Sequence, residues 1–183
     1  MILFFGPTGA GKSVQGQMIV ARHEWKWLST GQMLRESQDP AIRELLKAGE
    51  LVSDEQTYEV FDRAIRDAED KHFSQIIVDG FPRTYAQAEW LGGYMSEHSQ
   101  KIDLVVVFEV PETEIMKRLD LRQREEDTPE VIEKRMNIYR QKMYPVLGVF
   151  AEQNIRIVHI DGAGTVGQVH DRIETELEAW QLG

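Results

Sequence analysis

Gly6-Pro7-Thr8-Gly9-Ala10-Gly11-Lys12-Ser13 sets glycines, a lysine and a hydroxyl at the spacing G-x-x-x-x-G-K-[ST]. A loop of this kind can hold a polyphosphate. Its glycines let the backbone curl until the N–H groups point inward, and a helix starting at its end adds a positive pole. Lys12 would reach the β- and γ-phosphates, and the Ser13 hydroxyl would face Mg²⁺. Gly9, Ala10, Gly11 and Val14 complete the stretch expected to contact a triphosphate. A second candidate is Asp79, the acid that ends the apolar run Ile76-Ile77-Val78. In nucleotide enzymes with a loop lysine, an acid so placed holds the metal or one of its waters. Ligands of open parallel sheets collect at the carboxyl ends of strands, where Asp79 would stand. Ser13 and Asp79 are therefore the expected Mg²⁺ residues.

The elements that must position these groups are legible as alternating patterns. Apolar runs at 2–5, 76–78, 104–108 and 155–160, with a weaker one at 25–28, read as strands. Amphipathic segments at 13–22, 54–69, 84–97, 112–121, 129–151 and 165–181 read as helices. Thr128 is placed to cap the helix that Pro129 opens. Strands that alternate with helices imply an α/β fold with a parallel sheet flanked by helices. The near-continuous apolar strands agree, since both their faces would be covered. Segments 29–53 and 118–128 fit the core pattern poorly and are read as lobes over the active face.

Length and composition narrow the classes. A chain of 183 residues suits one domain, and 42% apolar residues suffice for a core. Cysteine is absent, so disulfides and thiolate zinc ligation are excluded. No run is long enough for a transmembrane helix, and no basic n-region begins the chain, so no membrane role and a cytoplasmic location are expected. A net charge of −10 argues against nucleic acid as partner. Cations that bind phosphate must then be clustered locally, which directs attention to the arginines.

Several motifs resemble the adenylate kinase family, colinearly from residue 1 to about 166. Asp79-Gly80-Phe81-Pro82-Arg83-Thr84 with Gln87-Ala88-Glu89 looks like its signature. Leu28-Ser29-Thr30-Gly31-Gln32-Met33-Leu34-Arg35 resembles L-S-T-G-D-x-L-R, and Gly49-Glu50-Leu51-Val52-Ser53-Asp54-Glu55 resembles G-E-L-V-x-D-E. Arg118 and Arg122, then Arg124-Glu125-Glu126-Asp127, then Lys134-Arg135-Met136 resemble the family's lid pattern. The resemblance implies a P-loop NTPase fold with a five-stranded parallel sheet in the order 2-3-1-4-5. It divides the chain into a core (1–28, 53–117 and 129–183), a nucleoside monophosphate-binding lobe (29–52) and a short lid (118–128). The implied reaction is Mg²⁺-dependent transfer between ATP and AMP, giving two ADP, by a monomer.

Residue by residue, the resemblance assigns Arg35 and Arg83 to the AMP phosphate, Arg122 to the ATP phosphates and Arg118 to a stack on the donor adenine. Arg124 and Arg135 would serve the transferring phosphoryl group and the acceptor side. Lys12, Arg83, Arg122, Arg124 and Arg135 are thus the expected catalytic set. Thr30, Gln87 and the backbone of Glu50, Leu51 and Val52 would read the AMP base, with Gly80, Phe81 and Pro82 alongside. The Asp161–Gly164 loop, through Gly164, would touch the ATP adenine. Thr30 and Gln87 side with AMP; relatives that phosphorylate UMP and CMP typically carry Ala and Asn there.

The chain departs from the family pattern at Lys12-Ser13-Val14, where Lys-Gly-Thr is common, and at Gln32, where Asp is usual. Only Gln123 remains between Arg122 and Arg124, so the lid is truncated. The alternatives are a kinase for UMP, CMP or a deoxynucleotide, or a nucleotide-binding regulator with weak transfer. A GTPase switch is disfavoured, because no N-K-x-D motif occurs.

Overall fold

Every residue of Ile2-Leu3-Phe4-Phe5 is buried, as a central strand covered on both faces requires. A computed structural model describes residues 1–122, 124 and 127–181. In it this segment, β1 (Ile2–Phe5), lies between β3 (Ile76–Asp79) and β4 (Leu104–Glu109), pairing through Ile2 with Ile77 and Leu104. The outer strands are β2 (Lys26–Ser29) and β5 (Ile157–Asp161). All four pairings are parallel and the order is β2-β3-β1-β4-β5, as expected.

Eight helices connect and cover the strands among the described residues: α1 (Lys12–His23), α2 (Thr30–Arg35), α3 (Pro40–Lys47), α4 (Asp54–Asp70), α5 (Tyr85–Glu97), α6 (Glu112–Arg122), α7 (Pro129–Glu152) and α8 (Val166–Gln181). The twofold alternation of β1 divides the core. Leu3 and Phe5 face a cluster with Phe61 and Ile65 of α4, Leu91 of α5 and Phe150 of α7. Ile2 and Phe4 face a second cluster with Ile19 of α1 and Ile173 and Leu177 of α8. Helix starts are set by side-chain caps: Asp39 for α3, Ser53 for α4, Thr84 for α5 and Thr128 for α7 each accept a backbone N–H. Thr128 and Pro129 thus behave as the sequence predicts.

Two strand boundaries differ from the expected ones. β2 begins at Lys26, because Trp25 leaves the ladder to stack on His23, with ring centroids 4.7 Å apart, and to meet Trp180 edge-on. β5 begins at Ile157; Ile155 N–H instead closes the end of α7 on Phe150 O at 3.0 Å. α6 covers the expected helix 112–121 and one residue more, through Arg122, as Ile115 and Leu119 pack with Ile132 and Met136 of α7. The segment between α6 and α7 is therefore 123–128, of which Gln123, Glu125 and Glu126 lie outside the described residues. No described helix is long and apolar enough to cross a membrane.

Candidate active site

The glycine loop leaves β1 and ends where α1 begins, at the carboxyl edge of the sheet. Gly9 has a φ of 81°, and a Cβ there would lie 2.9 Å from Leu119 Cγ, so this turn is open to glycine alone. Lys12 Nζ donates to the carbonyls of Gly6 at 2.8 Å and Pro7 at 3.0 Å, and lies 3.7 Å from Asp79 Oδ1. Burial pushes the Lys12 ammonium below its ordinary pKa; Asp79 opposes that shift, while Arg83 and Arg122 add to it. Asp79 Oδ1 is buried with no hydrogen-bond partner among the described residues. A buried carboxylate oxygen with no hydrogen bond, beside a loop lysine and in the cleft that Ser13 also lines, is the donor type Mg²⁺ or its waters require.

Arginines from α6 and α7 reach the loop from one side. Arg118, paired with Glu114 one turn earlier, donates to Ala10 O at 3.2 Å and Gly162 O at 2.9 Å. It joins the phosphate loop to the loop after β5 that carries Gly164. Arg122 donates from Nε and Nη2 to the two oxygens of Asp127, at 2.8 and 2.6 Å, and from Nη2 to Thr8 Oγ1 at 3.2 Å. Arg135 Nη1 lies 3.8 Å from Asp127 Oδ1, and its Nη2 donates to Leu46 O. Burial raises the Asp127 pKa, but the Arg122 hydrogen bonds and charge, a backbone bond at Arg124 and the Arg135 charge outweigh it. The carboxyl therefore titrates below its ordinary range.

The other wall is built by β2, α2 and the turn after β3. Arg83 Nε donates to Gly80 O at 2.7 Å, folding its guanidinium back toward Gly31. A Cβ on Gly31 would lie 3.4 Å from Arg83 Nη2 and 3.5 Å from Arg35 Nη1, so both guanidinium groups converge above this residue. Gly80 (φ 82°) is equally crowded, since a Cβ would fall 2.8 Å from Thr30 Oγ1. Both walls line one cleft of about 600 Å³, with Lys12, Ser13, Val14, Asp79, Arg118, Arg122, Arg124 and Gly164 on the loop side. Arg35, Glu50, Leu51, Gly80, Phe81, Pro82, Arg83 and Arg135 line the rest.

Thr30, Val52 and Gln87 stand behind that surface. Thr30 is buried and donates to Asp79 O at 3.1 Å, while Val52 packs with Leu34 and Ile42. Gln87 is 2% exposed; its Oε1 accepts from Arg83 N–H at 2.7 Å and its Nε2 donates to Asp54 Oδ1 at 2.7 Å. Glu50 pairs with Lys134. The sequence reading missed Ile138, Tyr139, Lys142 and Met143 of α7, which line the cleft. Their signal is the i, i+3, i+4, i+7 stripe that starts at Arg135. Burial pushes the Tyr139 hydroxyl pKa upward, with Glu109 and Tyr144 adding to it, so this group stays neutral.

A parallel sheet with a lysine loop at its central strand, facing a second cluster of cations across one cleft, defines a P-loop phosphotransferase of the nucleoside monophosphate kinase class. The family profile described as "Adenylate kinase" matches residues 4–155. An adenylate kinase of Thermus thermophilus is 33% identical over 186 residues, covering 96% of both chains. Those of Maricaulis maris and Salinibacter ruber are 34% and 31% identical, covering 97% of this chain and 98% of each relative. The chain belongs to the adenylate kinase family.

Proposed function

We propose that the chain transfers the γ-phosphoryl group of ATP reversibly to AMP, giving two ADP. The observation that carries this reading is the pair of facing cation clusters in one cleft, Lys12 with Arg122 on one wall and Arg35 with Arg83 on the other. Phosphoryl transfer needs two polyanions aligned, their repulsion cancelled and water kept out. On this reading the loop N–H groups and Lys12 hold the donor phosphates, and Arg118 and Gly164 flank the donor base. Arg35 and Arg83 fix the acceptor phosphate. Arg122, Arg124 and Arg135 balance the charge that spreads over the transferring group. The chain's similarity to adenylate kinases of three bacteria supports AMP as the acceptor.

Ser13 and the orphaned Asp79 oxygen fit Mg²⁺, which when bound would neutralise β- and γ-phosphate charge. Thr30 and Gln87 would serve the AMP base, Thr30 by shaping the floor and Gln87 by turning its amide from Asp54. Segment 29–52 would act as the acceptor lobe and 118–128 as the lid. A coupled assay with ATP and a panel of AMP, UMP, CMP and dAMP tests the reading. AMP turnover at least about tenfold above the pyrimidine nucleotides is expected. ATP binding without transfer to any acceptor would sink it.

A further inference from the structure

On the reading just given, Thr8 has no role. It lies inside the phosphate-binding loop, lines the cleft, and accepts a hydrogen bond from Arg122 Nη2 at 3.2 Å. The same guanidinium grips Asp127 through Nε and Nη2. Asp127 belongs to the segment between α6 and α7, which spans only residues 123–128. Arg122 is the last residue of α6, and besides Asp127 its guanidinium has a fixed point on the loop itself. Thr8 supplies that point.

We propose that Thr8 is a positioning residue whose hydroxyl holds Arg122 over the phosphate loop before ATP arrives. The inference rests on the reading of the cleft as an ATP site. An arginine side chain loses substantial rotamer freedom when it engages a ligand, and one already held loses less. A hydroxyl suits the task. It accepts from the guanidinium without adding a negative charge where phosphate must enter, and its own proton remains free to donate. Valine keeps the shape of threonine and lacks the lone pair; serine keeps the lone pair and drops the methyl.

The test compares wild type, Thr8→Val and Thr8→Ser, the first two also in an Arg122→Met background. ATP affinity is read by calorimetry without AMP, and KM for ATP and kcat are read at saturating AMP. Thr8→Val should weaken ATP Kd and KM about tenfold with kcat within about twofold, while Thr8→Ser stays within about twofold of wild type throughout. In the Arg122→Met background, Thr8→Val should add less than about twofold. The proposal is overturned if Thr8→Val binds ATP like wild type, if its loss is as large in both backgrounds, or if Thr8→Ser loses as much as Thr8→Val. Should wild type transfer nothing to AMP, the kinase reading fails, and the ATP affinities alone still decide the role of Thr8.

Discussion

Arg135 on α7 donates through Nη2 to the carbonyl of Leu46 at 2.8 Å, tying the long helix to the last turn of α3 across the cleft. Its other terminal nitrogen lies 3.8 Å from Asp127. An ammonium cannot span two such partners with a planar fork. Arg135→Lys should therefore behave nearly as badly as Arg135→Ala, with kcat for transfer to AMP lowered about 10²- to 10³-fold. Steady-state kinetics check this; a lysine variant within about threefold of wild type would refute the need for the fork.

Arg83 is folded against Gly80 O, on the wall opposite the loop lysine. Arg83→Ala should lower kcat/KM for AMP by about 10²- to 10⁴-fold and leave ATP Kd within about threefold. Calorimetry with ATP alone and kinetics with varied AMP separate the two effects. Near-normal turnover with AMP would mean that the acceptor phosphate binds elsewhere.

Asp79 carries a buried oxygen with no hydrogen-bond partner among the described residues. Asp79→Asn keeps the shape and removes the charge. The half-saturating Mg²⁺ concentration should rise by about tenfold or more, and ATP-dependent turnover should fall about 10²-fold at fixed metal. An unchanged Mg²⁺ titration would show that Asp79 serves only Lys12.

Asp127 titrates below the ordinary carboxylate range in the folded protein. Its folded pKa lies below the unfolded value of about 3.9, so its contribution is fully present above that pH and lost as pH falls through the folded value. Asp127→Asn should destabilise the protein by about 1–3 kcal/mol at pH 7, and by progressively less below about pH 4. Urea unfolding at pH 7 and pH 3 reads the difference. An equal deficit at both pH values would exclude the charge as its source.

On the proposed reading the lid is the short segment 118–128, of which only 123–128 lies between α6 and α7. Water exclusion is part of what such lids contribute. ATP hydrolysis without AMP should therefore be measurable, at about 1% or more of the transfer rate. ADP release with and without AMP gives the ratio directly, and hydrolysis at background level would show that the cleft closes without a long lid.

What the sequence made legible follows from how local each signal is. Gly9, Lys12 and Asp79 are fixed by short spacings next to apolar strands, and the structure brings Lys12 and Asp79 within 3.7 Å. Sheet order follows from the family resemblance, because strand alternation alone does not choose among parallel orders. Thr8 and Arg122 are 114 positions apart, so nothing in the spacing announces their contact. Gln87 is expected from the resemblance to read the AMP base, but that its amide is held inward by Asp54 and the Arg83 N–H is not legible in the spacing. Trp25 reads as strand and instead packs on His23 and Trp180, since an indole gains more from stacking than from a ladder position.

Asp127 stands between two guanidinium groups with different duties: Arg122 touches the phosphate loop, and Arg135 touches the α3 end of the opposite wall. One negative charge is thus shared by both halves of the cleft. A nucleotide that draws either arginine toward its phosphates leaves the carboxylate to the other and alters what that arginine can offer. On the proposed reading, with donor phosphates at Arg122 and the acceptor side at Arg135, the two substrates would be thermodynamically linked through this carboxylate. Each would then change the affinity of the other by the same factor.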